Sequence, residues 1–565
     1  MTNASIFFHP DGYDTTGARL MGRHSAGESF LRGFLRHADV DTFYFFNGSG
    51  GEVADLNKLI TRIEPPSKPV RWSGRRARGQ LGEPGCLFHP GPSIATEAWS
   101  RRPFDSRRYS LTGITHTTAT HRVMDILADM MTAPLEPWDA LICTSSAVRD
   151  SVETQLQAVR EDLAERVGAT RFASPQLATI PLGVNASDFA PKPADRKAWR
   201  EKLNIPPDAF VALYVGRFSA GAKMNPALMA MTLEAATQQT GQPIYWIVSG
   251  WAGTEATTEA YHAQTREFCP NVHYVAVDGR PADTRFSIWS AADIFISLSE
   301  NIQETFGLTP IEAMAAGLPC VVTDWNGYRD TVRDGVDGIR IKTFAPRPGL
   351  GRDLAFGYAN EWSNYDQYVT ASSQMTAVDL GAATQAVVAL VNDPELRARM
   401  GKAGRRQAAE VFDWATIIPQ YQALWGDLAA RRRAAPEPPA SRLNILDNPR
   451  RLDPFYLFAG YPTEALTGET LVSVKSDMTW ELAKVRLSTP LGAIGQWAMP
   501  LSAEREAMFA FFAARDLTTV AEMLAQFPAP RHPFLERGVL WMAKFGILQI
   551  SPDGPFLPKT RKAGL

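Results

Sequence analysis

Long hydrophobic runs are missing from this sequence of 565 residues. No stretch reaches the roughly 18 uninterrupted apolar residues that a membrane-spanning helix needs. The first residues, MTNASIFFHPDG, also lack the basic segment and apolar segment of a secretory leader. We therefore expect a cytoplasmic protein without a transmembrane segment, for which a peripheral membrane contact stays open.

A surplus of charge of either sign is absent as well. The formal net charge is −2, and no long basic run occurs. General affinity for nucleic acid or for an anionic membrane therefore has no support from composition. With 45% hydrophobic residues, the chain can bury several cores, and it is too long for one ordinary domain. We expect a soluble, multidomain protein.

Cysteine is scarce, and no C-x-x-C pair occurs, so neither a zinc site nor a disulfide framework is expected. Cys143 and Cys320 lie in apolar, strand-like runs and predict buried free thiols. Asp39-Val40-Asp41 has the D-x-D spacing of some metal-bound nucleotide-sugar sites. Because it directly precedes the apolar run Thr42 to Phe46, we interpret it as the end of a loop and predict no catalytic metal. The four cysteines are Cys86, Cys143, Cys269 and Cys320.

Two glutamates, Glu304 and Glu312, are separated by seven residues in the segment SLSENIQETFGLTPIEAMAAGLPCVVTD. Apolar runs at 293–298 and 320–323 flank this segment and predict parallel strands, with one helix between them. In open parallel sheets, ligands bind beyond the carboxyl ends of the strands. The spacing therefore predicts that both carboxylates point into one crevice, where the helix N-terminus also suits an anionic phosphate.

The start of this helix admits a simpler interpretation of Glu312. Thr309 and Glu312 form a capping-box sequence with Pro310 at the first helical position, and Gly317 is a fitting stop. Glu312 could therefore serve only to cap the helix. Glu304 has no such local role, although it could be an ordinary solvated carboxylate.

Two cations follow another predicted strand. The run Phe210 to Val215 leads through Gly216 to Arg217, and Lys223 stands at the opening of the next predicted helix. If this strand lies in the same sheet, both cations reach the edge that carries Glu304, where they could neutralise a leaving diphosphate. The alternative is a solvated pair of loop charges.

With these four charged residues in place, the chain resembles the retaining GT-B glycosyltransferases of family 4, the glycosyl transferases group 1. ETFGLTPIEAMAAGLPCVVTD resembles the E-x7-E motif of that family, and VGRF with the following lysine resembles its donor-phosphate motif. IPLGVNASDF, DALICTSSA and FDWATIIPQYQALW resemble further conserved segments of the fold. The resemblance covers roughly residues 1 to 430.

The resemblance implies roles for individual residues. Arg217 and Lys223 are expected to bind the donor pyrophosphate, Glu312 the ribose hydroxyls, and Glu304 the donor sugar as a catalytic residue. The backbone of a further segment is expected near the phosphates or the sugar: Phe306, Gly307 and Leu308.

In the N-terminal half the resemblance implies an active-site histidine and a glycine-rich turn. His116 follows a predicted strand and is the candidate catalytic histidine, with His121 as the weaker one. Gly27 is expected to open the first helix and to let the backbone approach the donor phosphate, with Gly22 as the alternative. The segment reads MGRHSAGES and departs from the paired glycines of the family.

The resemblance implies an α/β GT-B fold, with two Rossmann-like parallel-sheet domains facing each other across a cleft. We expect an N-terminal acceptor-side domain at 1–190 and a donor-side domain at 191–430 whose last helix crosses back. Ala430 to Ala440, with its arginines and prolines, predicts a linker, placed at 431–450. A small, mainly helical accessory domain is expected at 451–565.

The end of the accessory domain predicts three helices followed by a short strand and resembles a winged-helix module. Thr519 and Glu522 form a capping-box sequence, Pro533 opens the last helix, and Gly546 ends it. Residues 501–565 hold eight Lys/Arg against six Asp/Glu, too weak a balance for DNA binding. We favour a protein-interaction or acceptor-docking role.

The implied activity is retaining sugar transfer from a UDP- or GDP-sugar to a hydroxyl of a glycan, glycolipid or protein glycan. Neither a cofactor nor a metal is expected. The alternatives are an epimerase or phosphorylase on the same fold, and a non-catalytic scaffold. The sequence does not determine the donor base, the sugar, the acceptor or the oligomeric state.

Overall fold

The structure, a computed structural model, describes residues 2–15, 22–173, 175–436 and 448–550. Contacts divide the chain into two compact units, Met1–Asn448 and Pro449–Leu565. Across the described residues, no helix combines the length and the apolar character needed to cross a membrane.

The first half of the larger unit is built on a seven-stranded sheet in the order β3-β2-β1-β4-β5-β6-β7. All of its strand pairs are parallel. The order reverses between β1 and β4, as in doubly wound folds. The strands are β1 Ser5–Phe8, β2 Phe43–Asn47, β3 Val70–Gly74, β4 Cys86–His89, β5 Ser110–Ile114, β6 Ala140–Cys143 and β7 Gln176–Thr179.

Helices connect these strands and cover the sheet. The described ones are α1 Gly22–His37, α2 Val53–Ile63, α3 Ile94–Arg101, α4 His121–Asp129 and α5 Ser146–Val167.

The second half carries a six-stranded parallel sheet in the order β10-β9-β8-β11-β12-β13, which reverses between β8 and β11. A separate two-stranded antiparallel sheet is formed by strands that come later in the chain. The strands are β8 Phe210–Arg217, β9 Ile244–Trp251, β10 His273–Asp278, β11 Ile294–Ser297, β12 Cys320–Thr323, β13 Gly338–Ile341, β14 Thr343–Phe344 and β15 Ala377–Val378.

The helices of this half are α6 Pro193–Lys202, α7 Pro226–Thr240, α8 Glu255–Arg266, α9 Ala282–Ser287, α10 Leu308–Ala315, α11 Tyr328–Thr331, α12 Arg352–Ala359, α13 Tyr365–Gln374, α14 Leu380–Asn392, α15 Pro394–Val411 and α16 Trp414–Ala434. Two Rossmann-like parallel-sheet domains are thus present, and the predicted GT-B fold class is confirmed.

Helix α16 returns to the first domain. Trp414 Nε1 donates to Ser29 Oγ at 2.7 Å, and Trp425 Nε1 donates to Thr112 Oγ1 at 3.3 Å. The helix continues through Ala434, four residues into the segment predicted as a linker. Its last turn holds three arginines, which the partial negative charge of a helix C-terminus stabilises. Residues 437–447, the rest of the proline-rich segment, lie outside the described residues.

Gly27 does not open the first helix, so that expectation was wrong. It lies within the second turn of α1, where a β-carbon would overlap with the carbonyl oxygen of Gly12. Gly22 is the first described residue of the helix, and a β-carbon there would meet no atom within 4 Å. Gly27 therefore lets α1 approach the turn after β1, a tertiary contact that the local sequence does not show.

The buried thiols are confirmed, since all four cysteines are buried and free. The backbone of Asp39, in the D-x-D segment, contacts a side chain of α16. Its N–H donates to Gln422 Oε1 and its carbonyl accepts from Gln422 Nε2, both at 3.1 Å. The D-x-D segment therefore joins the first domain to α16.

The smaller unit has its own apolar core and an antiparallel sheet in the order β17-β16-β18. The predicted capping box is confirmed, because Thr519 Oγ1 accepts from Glu522 N while Glu522 Oε2 accepts from Thr519 N. The three helices and the final strand predicted for residues 502–550 are present as α19, α20, α21 and β18. The elements are α17 Pro454–Leu457, β16 Leu471–Val474, α18 Trp480–Ser488, α19 Ser502–Ala513, β17 Thr518–Thr519, α20 Val520–Leu524, α21 His532–Lys544 and β18 Leu548–Ile550.

Candidate active site

The central feature of the site is an ion pair at the point where the order of the second sheet reverses. β8 and β11 are neighbours, with Ala212 beside Ile294. Lys223, in the loop after β8, contacts Glu304, in the loop after β11, through its Nζ and the Oε2 of the carboxylate. The Glu304 side chain is 9% exposed. The structure thus brings together two of the predicted residues in the crevice where doubly wound sheets bind ligands.

Arg217 lies at the end of the same strand, opposite Trp251 of β9. With the Gln303 amide oriented so that both of its ends are satisfied, its oxygen accepts from Arg217 Nη2 at 3.0 Å. Gln303 is the residue before Glu304. The guanidinium is therefore close to the loop that carries the carboxylate of the ion pair.

Two residues directly after β11 hold the lysine loop in place. Asn301 Nδ2 donates to Gly221 O at 2.5 Å, and Glu300 Oε1 accepts from Asn225 N at 3.0 Å. Asn225 in turn caps α7 by accepting from Ala227 N. Lys223 thus stands between two anchored points, so its ammonium group is positioned before any ligand binds.

Glu300 was missed by the sequence analysis. It is 2% exposed, and its Oε2 has no hydrogen-bond partner among the described residues. Loss of hydration raises the pKa of Glu300 to about 7, against the lowering effect of the Asn225 N–H. The signal was available, because Glu300 follows a predicted strand as closely as Arg217 does, and Asn301 comes one residue later.

The start of α10 differs from the predicted capping box. The N-cap is Gly307, with φ of +85°, and the helix begins at Leu308, so Pro310 occupies the third helical position instead of the first. A β-carbon at Gly307 would overlap with the Tyr328 ring. Packing against Tyr328 therefore sets the helix start, and Gly317 ends the helix as predicted, with φ of +80°.

Glu312 consequently does not act as a capping residue. It lies one turn into α10 and is only partly exposed. Loss of hydration raises its pKa to about 7, while the positive charges of Arg285 and Lys223 act in the opposite direction. A carboxyl with this pKa near neutral pH can both donate and accept hydrogen bonds.

The segment between the two glutamates has a buried side chain and leads into a helix start. The Phe306 side chain is 1% exposed and packs against Phe412, with ring centroids 6.3 Å apart. Leu308 is the first residue of α10, and the first N–H groups of any helix lack partners within it. The amides at this point are arranged as a helix N-terminus, which suits an anion.

The first domain meets this loop at its own carboxyl edge. Thr305 Oγ1 donates to the carbonyl of His116 at 2.5 Å, and Ser145 Oγ donates to Thr305 O at 2.8 Å. His116 follows β5, and Ser145 follows β6. The carboxyl edges of the two sheets therefore face each other across the site.

The two candidate histidines have different surroundings. His116 Nε2 lies 3.2 Å from Pro90 O, beside the reversal point of the first sheet. The His121 ring lies against the Tyr358 ring with centroids 3.7 Å apart, and the backbone N–H of His121 donates to the Tyr358 hydroxyl. Tyr358 belongs to α12, in the segment between β14 and β15, which the sequence analysis did not assign to the site.

Among residues 2–15, 22–173, 175–436 and 448–550, no group of three His, Cys, Asp or Glu residues is placed to hold an ion.

Residues 195–347 match the model of the family described as Glycosyl transferases group 1. The D-inositol 3-phosphate glycosyltransferase of Geodermatophilus obscurus is 29% identical over 279 residues, covering 46% of this chain and 50% of that protein. The D-inositol 3-phosphate glycosyltransferase 2 of Catenulispora acidiphila is 31% identical over 174 residues, covering 30% and 40%. The chain spans about half the length of these relatives.

Among solved structures, Anabaena Alr3699/HepE in complex with UDP is similar, with a TM-score of 0.49 and 16% identity, covering 75% of this chain and all of that one. The class that the two sheets and the crevice define is that of two-domain, Rossmann-like proteins. Within it, the predicted resemblance to the group 1 glycosyltransferases is confirmed, and the matched segment carries Arg217, Lys223, Glu304 and Glu312.

Proposed function

We propose that this chain is a retaining glycosyltransferase that transfers a sugar from a nucleoside diphosphate sugar to an acceptor hydroxyl. The observation that carries the proposal is the contact between Lys223 and Glu304 at the reversal point of the second sheet. It stands opposite the His116 loop of the first domain. The family match over residues 195–347 supports the same activity.

Donor binding follows from the charges of the crevice. Arg217 and Lys223 would neutralise the diphosphate, assisted by the amides at the start of α10. In the structure Lys223 and Glu304 neutralise each other. A donor would draw the ammonium group towards its phosphates and leave the Glu304 carboxylate to the sugar hydroxyls, while Glu312 holds the ribose.

The reaction proposed is a front-face substitution. The bond between the anomeric carbon and the diphosphate oxygen breaks, and the acceptor oxygen bonds to that carbon from the same face. The proton of the acceptor hydroxyl passes to the leaving phosphate oxygen. Arg217 and Lys223 stabilise the charge that develops there, and one preorganised group of this kind typically contributes about 100- to 1000-fold in rate.

Glu304 and His116 orient the sugar while positive charge develops at its anomeric carbon. His116 is suited to this role because its carbonyl and its ring are both held, by Thr305 and at Pro90. The proposal involves neither a metal nor a cofactor, since the cations of the protein meet the charge of the leaving group.

The acceptor is proposed to be a hydroxyl of a glycan or glycolipid. Relatives named for D-inositol 3-phosphate make a phosphorylated polyol the first acceptor to test. The donor base is proposed to be uracil or guanine. The expectation of a cytoplasmic enzyme of polysaccharide or glycoconjugate assembly, based on sequence, belongs to the same proposal.

The test is incubation of the full chain with UDP- and GDP-sugars and a panel of acceptors, followed by measurement of nucleoside diphosphate release and of product configuration by NMR. We expect acceptor-dependent release and an anomeric configuration equal to that of the donor. Inversion would contradict the retaining mechanism. Sugar conversion without a new glycosidic bond would favour the epimerase, and release that needs inorganic phosphate would favour the phosphorylase.

A further inference from the structure

A second group of cations lies outside the crevice, in a pocket of about 630 Å³ on the first domain. Its walls include Gln80, two glycines and the last turn of α16. The charged residues that line it are Arg107, Arg108, Arg432, Arg433, Glu83 and Asp105. Arginines therefore outnumber carboxylates by four to two in this pocket.

The pocket opens at the opposite edge of the sheet from the candidate active site. Residues 79–83 lead into the amino end of β4, and residues 105–108 lead into the amino end of β5. Arg432 and Arg433 come from the last turn of α16. His116, by contrast, follows the carboxyl end of β5. The pocket is thus a separate site, built where three segments distant in the sequence meet.

Carbonyl and hydroxyl oxygens, which bear no net charge, hold two of the arginines. Arg108 Nε donates to Gly79 O at 3.1 Å. Arg432 Nη1 donates to Ser110 Oγ at 2.8 Å and also contacts Gly85 O. These hydrogen bonds fix the guanidinium groups without cancelling their charge.

The two carboxylates already have partners. Glu83 Oε1 accepts from Arg71 Nη1 at 2.5 Å and from the Tyr44 hydroxyl at 2.8 Å. Asp105 Oδ1 accepts from the backbone N–H of Arg107 at 2.9 Å. Partial burial lowers the pKa of Arg432, and the neighbouring positive charges of Arg101 and Arg433 act in the same direction. The positive charge of the pocket is therefore not balanced by its own carboxylates, which favours the binding of an anion.

The guanidinium group selects the chemistry of that anion. Its planar fork of N–H donors matches two oxygens of a phosphate group, and several such forks suit a dianion. An aromatic ring lies at the same place: Phe104 is 40% exposed and packs beside Gly79, one of the pocket residues. Arginines next to an exposed aromatic ring also suit the interface of an anionic membrane.

We propose that this arginine pocket binds a phosphate-bearing anion at a site distinct from the donor crevice. The phosphate can come from the headgroup of an anionic lipid or from a soluble phosphate compound. Both sources present the same group to Arg108, Arg432 and Arg433, and the experiment separates them.

The first arm measures flotation of the full chain with vesicles of phosphatidylcholine, with and without phosphatidylglycerol, at low and high salt. If a lipid is the source, the native protein floats only with phosphatidylglycerol and at low salt. We then expect Arg433→Ala to weaken binding by about fivefold. The double variant, Arg108→Ala together with Arg433→Ala, should weaken binding by more, because each removed charge lowers the affinity by a similar factor. Arg431→Ala is the matched control, because Arg431 pairs with Asp427 at 2.7 Å and does not line the pocket.

The second arm titrates inorganic phosphate and follows the melting midpoint of the same four proteins. The pocket is assigned to a soluble phosphate if two results are obtained together. Phosphate raises the melting midpoint of the native chain and of Arg431→Ala more than that of both pocket variants, and no protein floats with the vesicles. Phosphate in the donor crevice contributes equally to all four proteins and cancels. If neither vesicles nor phosphate distinguish the pocket variants from native and Arg431→Ala, the proposal is wrong. Arg433→Ala changes an exposed residue, so it keeps the test valid if the double variant does not fold.

Discussion

The carboxyl edges of the two sheets meet at the same site but are built differently. The edge of the second sheet presents charged side chains, with Lys223 paired to Glu304 and Glu300 buried behind them. At the edge of the first sheet, His116 and Ser145 make their described contacts with the second domain through a carbonyl and a hydroxyl. In the proposed mechanism, this difference means that the second domain meets the charge of the donor, whereas the first positions the reacting groups.

This comparison predicts the largest loss for the lysine. Lys223→Ala is expected to lower kcat by about 100- to 1000-fold, because it removes a preorganised charge from the leaving diphosphate. Steady-state rates with the identified donor measure this. Lys197→Ala is the control, since Lys197 is 78% exposed and pairs loosely with Glu201 at 3.8 Å. A folded Lys223→Ala protein with the native rate would remove Lys223 from the site.

The first domain is expected to contribute less, through one histidine. His116→Ala should lower kcat by about 100-fold, the lower end of the range for one preorganised group. His121→Ala, whose ring packs against Tyr358, should leave the rate nearly unchanged. Parallel assays of both variants decide between them. If His121→Ala lowers kcat more than His116→Ala does, the two assignments are exchanged. If His116→Ala lowers kcat as much as Lys223→Ala does, the predicted contrast between the two edges is wrong.

Glu300 should make the stability of the second domain depend on pH. Its pKa is raised to about 7 in the folded chain, so the folded state binds this proton more tightly than the unfolded state does. The contribution of this group to stability is therefore full below pH 4.5 and is lost as the pH rises through 7.

Glu300→Gln keeps an oxygen for the Asn225 N–H and removes the charge. Relative to native, the variant should gain about 2 kcal/mol in free energy of unfolding between pH 5 and pH 8. Denaturant melts at the two pH values measure it. Glu312 titrates similarly in both proteins, so its contribution cancels in the comparison. If the free energies of unfolding of the variant and the native protein differ by the same amount at both pH values, the raised pKa of Glu300 is contradicted.

The smallest effect concerns the glycines of the first edge. Gly27→Ala should destabilise the fold by about 1 kcal/mol or more, because the added methyl group overlaps with the Gly12 carbonyl. Gly22→Ala should be neutral or slightly stabilising. Thermal melts test both. If Gly27→Ala keeps native stability but loses donor affinity, Gly27 approaches the phosphate after all.

The second edge was predictable because each of its parts is local in sequence. An apolar run of strand length followed by Gly216 and Arg217, or by Glu304, indicates a strand end with functional side chains. The same rule applied to Glu300 and Asn301 would have found them. The helix start at Gly307 was not predictable, since packing against Tyr328 sets it and overrides the capping signal of Thr309.

The first edge was less predictable because tertiary contacts define it. The need for a glycine at position 27 comes from its close approach to Gly12. The surroundings of His121 are set by Tyr358, which is more than 200 positions away in a helix without a motif. The sequence places both histidines after one strand and favours His116 through the family resemblance, without showing what either side chain contacts. Their environments differ in the structure, because the His116 ring lies near Pro90 of the first domain and the His121 ring packs against Tyr358 of the second.

The central claim is that Lys223 and its neighbours bind a nucleoside diphosphate. Its most direct test is the melting midpoint of native, Lys223→Ala and Lys197→Ala proteins with UDP, GDP and ADP and their sugar conjugates. At about 100 times its dissociation constant, a nucleotide that binds should add about 2.7 kcal/mol of stability. The account predicts that one base stabilises the native and Lys197→Ala proteins and that Lys223→Ala responds much less. Equal stabilisation of all three proteins, or none by any nucleotide, would contradict it.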